Sequence, residues 1–184
     1  MSGIRFTIVG DSQTGKTSWL SVLNGDGFKE THQSKRLEPF TKKIIVNKGE
    51  YELEICDTLG GKRNLEERIR IYRNTDIFII CFAINNMNSF KNVRTKWYPE
   101  IKYHKPNASI VLVCTKSDLK NKRILVDEIQ ELRRHYFFSH VGYCSALWNI
   151  NVEEIFKDVL IKLCEVTTTK KPFYHCLFVR CKSN

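Results

Sequence analysis

The sequence has no apolar run long enough to cross a membrane. Its longest, Ile77–Ile84 and Ile110–Cys114, fall far short of the roughly 20 residues a spanning helix requires. The N-terminus alternates Ile4, Phe6, Ile8 and lacks a basic stretch followed by an apolar block, so no secretory leader is expected. There is no C-x-x-C pair, and the cysteines (Cys56, Cys81, Cys114, Cys144, Cys164, Cys176, Cys181) are odd in number, which argues against a disulfide framework and against a zinc site. Cys56, Cys81 and Cys114 lie inside apolar stretches, where thiols behave as small hydrophobes. A reduced, cytoplasmic protein is expected. Low-complexity tracts and internal repeats are also missing, and 42% hydrophobic with 27% charged residues is ordinary globular usage that excludes disorder. What remains is one domain of 184 residues, enough to bury about 70% of its unfolded surface. Lys and Arg number 30 against 20 Asp and Glu, a net +10. That excess suits phosphate, an anionic membrane leaflet or nucleic acid without choosing among them.

Strand-like and helix-like segments alternate along the chain. Ile4–Val9 reads as a strand followed by a helix opening near Gly15. Lys43–Asn47 and Tyr51–Cys56 read as a hairpin around Lys48-Gly49-Glu50. Asn64–Tyr72 is helix-compatible, and Ile77–Ala83 is a nearly continuous apolar run suited to a strand covered on both faces. Phe90, Val93, Trp97 and Ile101 recur at helical spacing until Pro106-Asn107 breaks the pattern. Ser109–Thr115 reads as a second buried strand, Val126–Tyr136 as a helix, Tyr143-Cys144 as a short strand and Val152–Val166 as a final amphipathic helix. One hairpin among repeated βα units implies an α/β fold with a six-stranded, mostly parallel sheet, one antiparallel hairpin strand and helices on both faces.

Gly10-Asp11-Ser12-Gln13-Thr14-Gly15-Lys16-Thr17 matches G-x-x-x-x-G-K-[ST] between a strand and a helix, the strongest local signal in the chain. The glycines let the backbone curl so that successive N–H groups face phosphate oxygens, and the helix adds its positive N-terminus. Lys16 is placed to reach the β- and γ-phosphates, and Thr17 to offer its hydroxyl to Mg²⁺. Gly10, Ser12, Gln13, Thr14, Gly15, Lys16, Thr17 and Ser18 are the candidate phosphate-binding residues.

A phosphate loop alone leaves ATPases, kinases and GTPases open. Thr115-Lys116-Ser117-Asp118 ends one strand, Ser145-Ala146-Leu147 follows another, and Asp57-Thr58-Leu59-Gly60-Gly61 ends a third. These resemble the TKxD, SAL and DTAGQ motifs of the Ras superfamily, and Asn88–Ile101 resembles its Rho/Rac branch. The resemblance runs in register from about Ile4 to Val166. It implies a small G domain over residues 1–166 with about five helices, a tail over 167–184, binding of GTP and GDP with Mg²⁺, and GTP hydrolysis. An acid at Asp118 accepts from guanine N1–H and N2–H₂, which adenine cannot offer, and the Ala146 N–H donates to O6. Lys116 lays its stem along the base, and Phe28 stands where the family packs an aromatic against it. Thr115, Ser145, Leu147 and Gly60 complete the nucleotide set, and Asp57 matches the magnesium-shell aspartate.

Departures from the family cluster around the γ-phosphate. Ser12 replaces a preferred Gly, and Gly61 replaces the Gln that orients the attacking water, so both catalytic positions are non-consensus. Leu59 replaces a small Ala. Lys35 stands where the family has a Mg²⁺-binding Thr; an ammonium cannot ligate the ion, and Ser34 or Thr31 stays open as a substitute. The effector segment Thr31–Pro39, together with Cys56, Asn64, Glu67 and Arg70, departs from the branch, so effectors and regulators cannot be carried over. With 26 residues between Asp118 and Ser145, there is no Rho-type insert. Slow hydrolysis is the expectation, and the alternative is a non-cycling pseudo-GTPase serving as an interaction module. Cys181 is fourth from the end, where the family is prenylated, but Lys182 and Ser183 are not aliphatic. A lipid there, with Cys176, Lys170, Lys171 and Arg180 assisting, would place the protein on an acidic membrane at its cytoplasmic face. An unmodified tail docked through Phe173, Leu177, Phe178 and Val179 stays open. A monomer is expected, and no motif supports nucleic acid as a partner.

Overall fold

The computed structural model describes residues 3–29, 36–60, 65–121 and 123–169. Six strands, β1 (Ile4–Gly10), β2 (Phe40–Val46), β3 (Gly49–Asp57), β4 (Ile77–Ala83), β5 (Ser109–Thr115) and β6 (His140–Tyr143), form one sheet in the order β2-β3-β1-β4-β5-β6. Every pair is parallel except β2 with β3. The helices are α1 (Lys16–Asn24), α2 (Leu65–Arg73), α3 (Met87–Asn92), α4 (Tyr98–His104), α5 (Val126–Tyr136) and α6 (Glu154–Thr169). A π-helical turn, Val93–Trp97, joins α3 to α4, so the two form one continuous rod and the rods number five.

Strand β4 shows why the sheet is covered on both sides. Its residues alternate faces, as strand geometry requires. Ile77, Ile79 and Cys81 pack with Trp19, Leu20, Phe156 and Leu160 of α1 and α6. Phe78, Ile80 and Phe82 pack with Tyr72, Val93, Trp97, Ile101 and Leu132 of α2 to α5. In the first layer the Trp19 ring stacks on Phe156 at 5.3 Å and its Nε1–H donates to the Val152 carbonyl at 3.1 Å. In the second, Arg68 of α2 donates to both carboxylate oxygens of Glu100 on α4 at 2.9 and 2.8 Å, and the Tyr72 hydroxyl adds a third bond at 2.8 Å.

Four local features differ from the sequence reading. The hairpin turns on Asn47 and Lys48, both at positive φ (50° and 67°), while Gly49 pairs with Val46 inside the ladder. A two-residue turn of this hand matches the twist of the strands it joins. Strand β2 begins at Phe40, earlier than the sequence suggests, because Lys42 occupies the half-buried face, bonded to the Leu23 carbonyl at 3.1 Å, and hides the alternation. The short sixth strand is His140–Tyr143 rather than Tyr143-Cys144, its extent set by pairing with Val111–Cys114. Helix α6 starts at Glu154 and continues to Thr169, past the residue where apolar periodicity fades, since propagating a helix needs only one further hydrogen bond per residue.

Two expectations follow from this packing. The Arg68 side chain is 2% exposed, so Arg68→Ala leaves Glu100 without its cation and should cost about 3 kcal/mol in urea unfolding. His140 in β6 is half-buried and accepts from Lys162 Nζ at 2.8 Å through Nδ1, with Asp158 3.6 Å from Nε2. Burial, reinforced by Lys162 and Arg133 against Asp158, pushes its pKa below the usual 6.5. The unfolded chain then binds this proton more readily than the folded one. Stability from His140 is therefore present above pH 6.5 and lost on acidification below it. His140→Gln should flatten the fall in unfolding free energy between pH 7.5 and 5.5 (about two units).

Candidate functional site

The loops that leave the carboxyl ends of β1, β3 and β5, together with the one after β6, converge at one end of the sheet. Gly10 ends β1 at φ 146°, and a Cβ there would lie 2.3 Å from the Cys81 carbonyl oxygen of β4. Only glycine fits so close to the neighbouring strand. The chain then turns through Gln13 (φ 63°) and Gly15 (φ 86°), the latter capping α1, so the loop curls directly into the helix N-terminus.

Lys16 is 5% exposed and its ammonium donates to the carbonyls of Gly10 at 2.9 Å and Asp11 at 2.8 Å. Burial lowers its pKa, against the raising influence of Asp57 and Asp11. The Thr14 hydroxyl donates to the Asp11 carbonyl at 2.9 Å, and the Thr115 hydroxyl, 3.0 Å from the Phe82 carbonyl, bonds to the Thr14 carbonyl. Ser12 and Gln13 are exposed at the rim of the loop, and Ser18 is half-buried in the first turn of α1. Gly60 rests on the loop so closely that a Cβ would lie 2.5 Å from the Ser12 nitrogen and 2.7 Å from the Asp11 carbonyl carbon.

At the end of β3, Asp57 Oδ2 accepts from the Thr17 hydroxyl at 2.7 Å and from the Leu37 N–H at 3.2 Å, while Oδ1 accepts from the Thr58 N–H at 2.9 Å. Burial raises the Asp57 pKa, opposed by the Thr17 bond and the Lys16 charge. The Thr58 hydroxyl donates to the Ile8 carbonyl at 2.7 Å and fixes this turn against β1. Among the described residues no cluster of three or more His, Cys, Asp or Glu could hold a metal. The hard oxygens of Thr17 and Asp57 do fit one or two positions of a Mg²⁺ shell, whose remaining ligands would be phosphate and water.

The third corner is built from β5 and the loop after β6. Lys116 (φ 57°) donates to the Gln13 carbonyl at 2.9 Å, with its stem 3.6 Å from the ideal Cβ position of Gly15. The Ser145 hydroxyl donates to Asp118 Oδ1 at 2.5 Å and accepts from the Trp148 N–H at 3.2 Å. Ser117 N–H bonds to the Cys144 carbonyl at 3.1 Å, so the two loops are tied side by side. Ala146 is half-buried, whereas Leu147 and Phe28 are exposed at 47% and 40%.

The structure thus gathers the phosphate-loop residues with Asp57, Gly60, Thr115, Lys116, Asp118 and Ser145 into one cluster. Gly61, Asn64, Lys35, Ser34, Thr31, Cys176 and Cys181 lie outside the described residues. Four residues that the sequence did not single out for the site, Asp11, Asn92, Trp97 and Arg36, also belong here. Asp11 accepts from Asn92 Nδ2 at 2.6 Å and from Trp97 Nε1 at 2.9 Å. Arg36, in the segment before β2, forms an ion pair with Glu67 of α2 and so joins the two segments that flank the γ-phosphate position in the family. Asp11 could have been flagged as an acid in an anion-binding loop; its partners had no such signal.

Comparison with known proteins agrees with this arrangement. The Ras family model matches residues 5–165. The chain is 33% identical over 166 residues to the Rho-related protein racM of Dictyostelium discoideum, covering 85% of this chain and 88% of that one. It is 30% identical over 161 residues to the Ras-like GTP-binding protein RhoL of Drosophila melanogaster, covering 85% of each. It is 29% identical over 177 residues to the Rho-related GTP-binding protein RhoV of Homo sapiens, covering 89% of this chain and 75% of that one. The phosphate loop, the tied base loops, the sheet order and these matches lead to one assignment: the chain belongs to the Ras family of small GTPases, on its Rho/Rac-like side.

Proposed function

We propose that this protein binds GTP and GDP with Mg²⁺ at the loop cluster and works as an atypical Rho-like signalling switch whose GTP hydrolysis is slow. One observation carries the specificity: Ser145 fixes the Asp118 carboxylate through Oδ1, and its two oxygens keep lone pairs for the paired donors of guanine beside the Ala146 N–H. Two of the relatives are themselves named GTP-binding proteins, which supports the same ligand.

The roles divide by chemistry. The curled loop and the α1 N-terminus present N–H groups to the phosphates, and Lys16 supplies a positive charge already oriented by the Gly10 and Asp11 carbonyls. Thr17 and Asp57 would hold Mg²⁺, which neutralises charge on the phosphate oxygens. Lys116 clamps the base loop to the phosphate loop through Gln13. Slow turnover rests on Ser12 and Gly61. A side chain at 12 crowds the attacking water, and residue 61 has no side-chain amide to orient it. Lys35 supports a reduced dependence on Mg²⁺, since its ammonium offers donors only. By resemblance the switch acts in the cytoplasm as a monomer, in the cytoskeleton and membrane-traffic class, and a lipid on Cys181 would hold it at a membrane surface.

Nucleotide extracted from the purified protein and identified by chromatography tests the reading. Guanine nucleotide supports it, whereas its absence, with no binding of added GDP, favours an interaction module without a switch. Asp118→Asn should weaken GTP about 10- to 100-fold while improving xanthosine triphosphate. Equal affinity of the unmodified chain for GTP and ATP in competition would count against the base site. The double change Ser12→Gly with Gly61→Gln should speed single-turnover hydrolysis about tenfold or more. An unmodified chain already as fast as that variant would remove the case for impaired catalysis.

A further inference from the structure

A carboxylate is the wrong charge for a phosphate-binding loop, yet Asp11 occupies the second position of this one. Its geometry resolves the conflict. Both oxygens are engaged by the rod that runs alongside: Oδ2 by the Asn92 amide at 2.6 Å and Oδ1 by the Trp97 indole N–H at 2.9 Å. The main chain of the same residue has other partners, its carbonyl accepting from Lys16 at 2.8 Å and from Thr14 at 2.9 Å. Asp11 is therefore a rivet, with its side chain fixed to the helical rod and its peptide group fixed to the lysine that meets the phosphates.

The rivet is seated on a rigid part. Trp97 is fully buried, and the Arg68 guanidinium lies over its ring at 5.1 Å while bonding to Glu100. Elsewhere the loop is tied through main-chain carbonyls, Thr14 by the Thr115 hydroxyl and Gln13 by Lys116, while Gln13 and Gly15 hold positive φ and Ser12 and Gln13 are exposed. Resting on the reading that guanine nucleotide binds here, we propose that Asp11 is a positioning residue for phosphate recognition. It touches no ligand atom, but it holds the loop's N–H groups and Lys16 in the register that β- and γ-phosphates require.

This role makes a demand that a merely structural one does not. Base recognition rests on Asp118 and Ala146 in the loops after β5 and β6, whereas the rivet lies in the loop after β1, so the effect should fall on diphosphate and triphosphate and spare the monophosphate. Binding of GDP, GTP and GMP to the full chain by calorimetry reads this directly. Asp11→Ala should weaken GDP and GTP about tenfold, the worth of one or two charge-assisted hydrogen bonds, with GMP unchanged. Asp11→Asn, which keeps one acceptor oxygen, should recover part of the loss. If Asp11→Ala fails to fold, Asn92→Ala carries the same readout from outside the core. Equal losses for GMP and GDP, or unchanged GDP affinity, would overturn the role of Asp11 and leave the nucleotide site standing. An unmodified chain that binds no GDP would overturn the site reading itself, and this inference with it.

Discussion

A buried ammonium sets the terms for this structure. Lys16 sits beneath the phosphate loop at 5% exposure, and burying a charge is costly unless it is fully bonded. The carbonyls of Gly10 and Asp11 meet it from one side, and the Asp57 carboxylate offsets its burial electrostatically. Those partners come from the ends of β1 and β3, so the solvation of one side chain holds two parallel strands, a tight loop and the start of α1 in a single relationship. Gly10 lets the loop approach β4, Thr115 ties it to β5, and Lys116 ties it to the base loops. The cluster is thus a set of carbonyls arranged around a cation, with phosphate as the anion that completes it.

Much of this could be read from the chain, for identifiable reasons. Ile77–Ala83, Ser109–Thr115 and Val126–Tyr136 are segments whose hydrophobic pattern and boundaries coincide, and the structure gives them the same limits. The phosphate loop was legible because its chemistry is local and its spacing fixed. The hairpin turn was not, because Gly49 drew attention to itself while the positive φ values fell on Asn47 and Lys48. The partners of Asp11 were hidden more deeply. Asn92 and Trp97 are five residues apart, a spacing that an α-helix of about 3.6 residues per turn places on different sides. Only the π-turn brings them to one carboxylate.

The changes in the effector region are not independent of one another. Arg36 lies in the segment that shares little with the Rho switch, Glu67 stands where the resemblance implies an apolar or aromatic contact, and the structure shows the two paired. An ion pair at the surface adds little stability, but it fixes which segment lies beside which. Leu37, the next residue, donates its N–H to Asp57 at 3.2 Å, so the same short segment before β2 carries both contacts. The pair thus sets a charged link beside the phosphate loop where the resemblance implies apolar contact at residue 67.

The π-turn has a cause and a cost. Pro99 has no N–H to give to the turn before it, and the Tyr98 N–H reaches back five residues to the Val93 carbonyl instead. Such a turn is geometrically an α-helix with one residue too many. Excising a residue between Val93 and Trp97 would leave the sequence helical and the apolar content nearly intact, yet everything beyond it would rotate by about 100°. Glu100 would swing away from Arg68 and the indole from the phosphate loop, while the core lost no more than a side chain. The segment therefore tolerates substitution far better than a change of length, because the register of the rod depends on its residue count rather than on its composition.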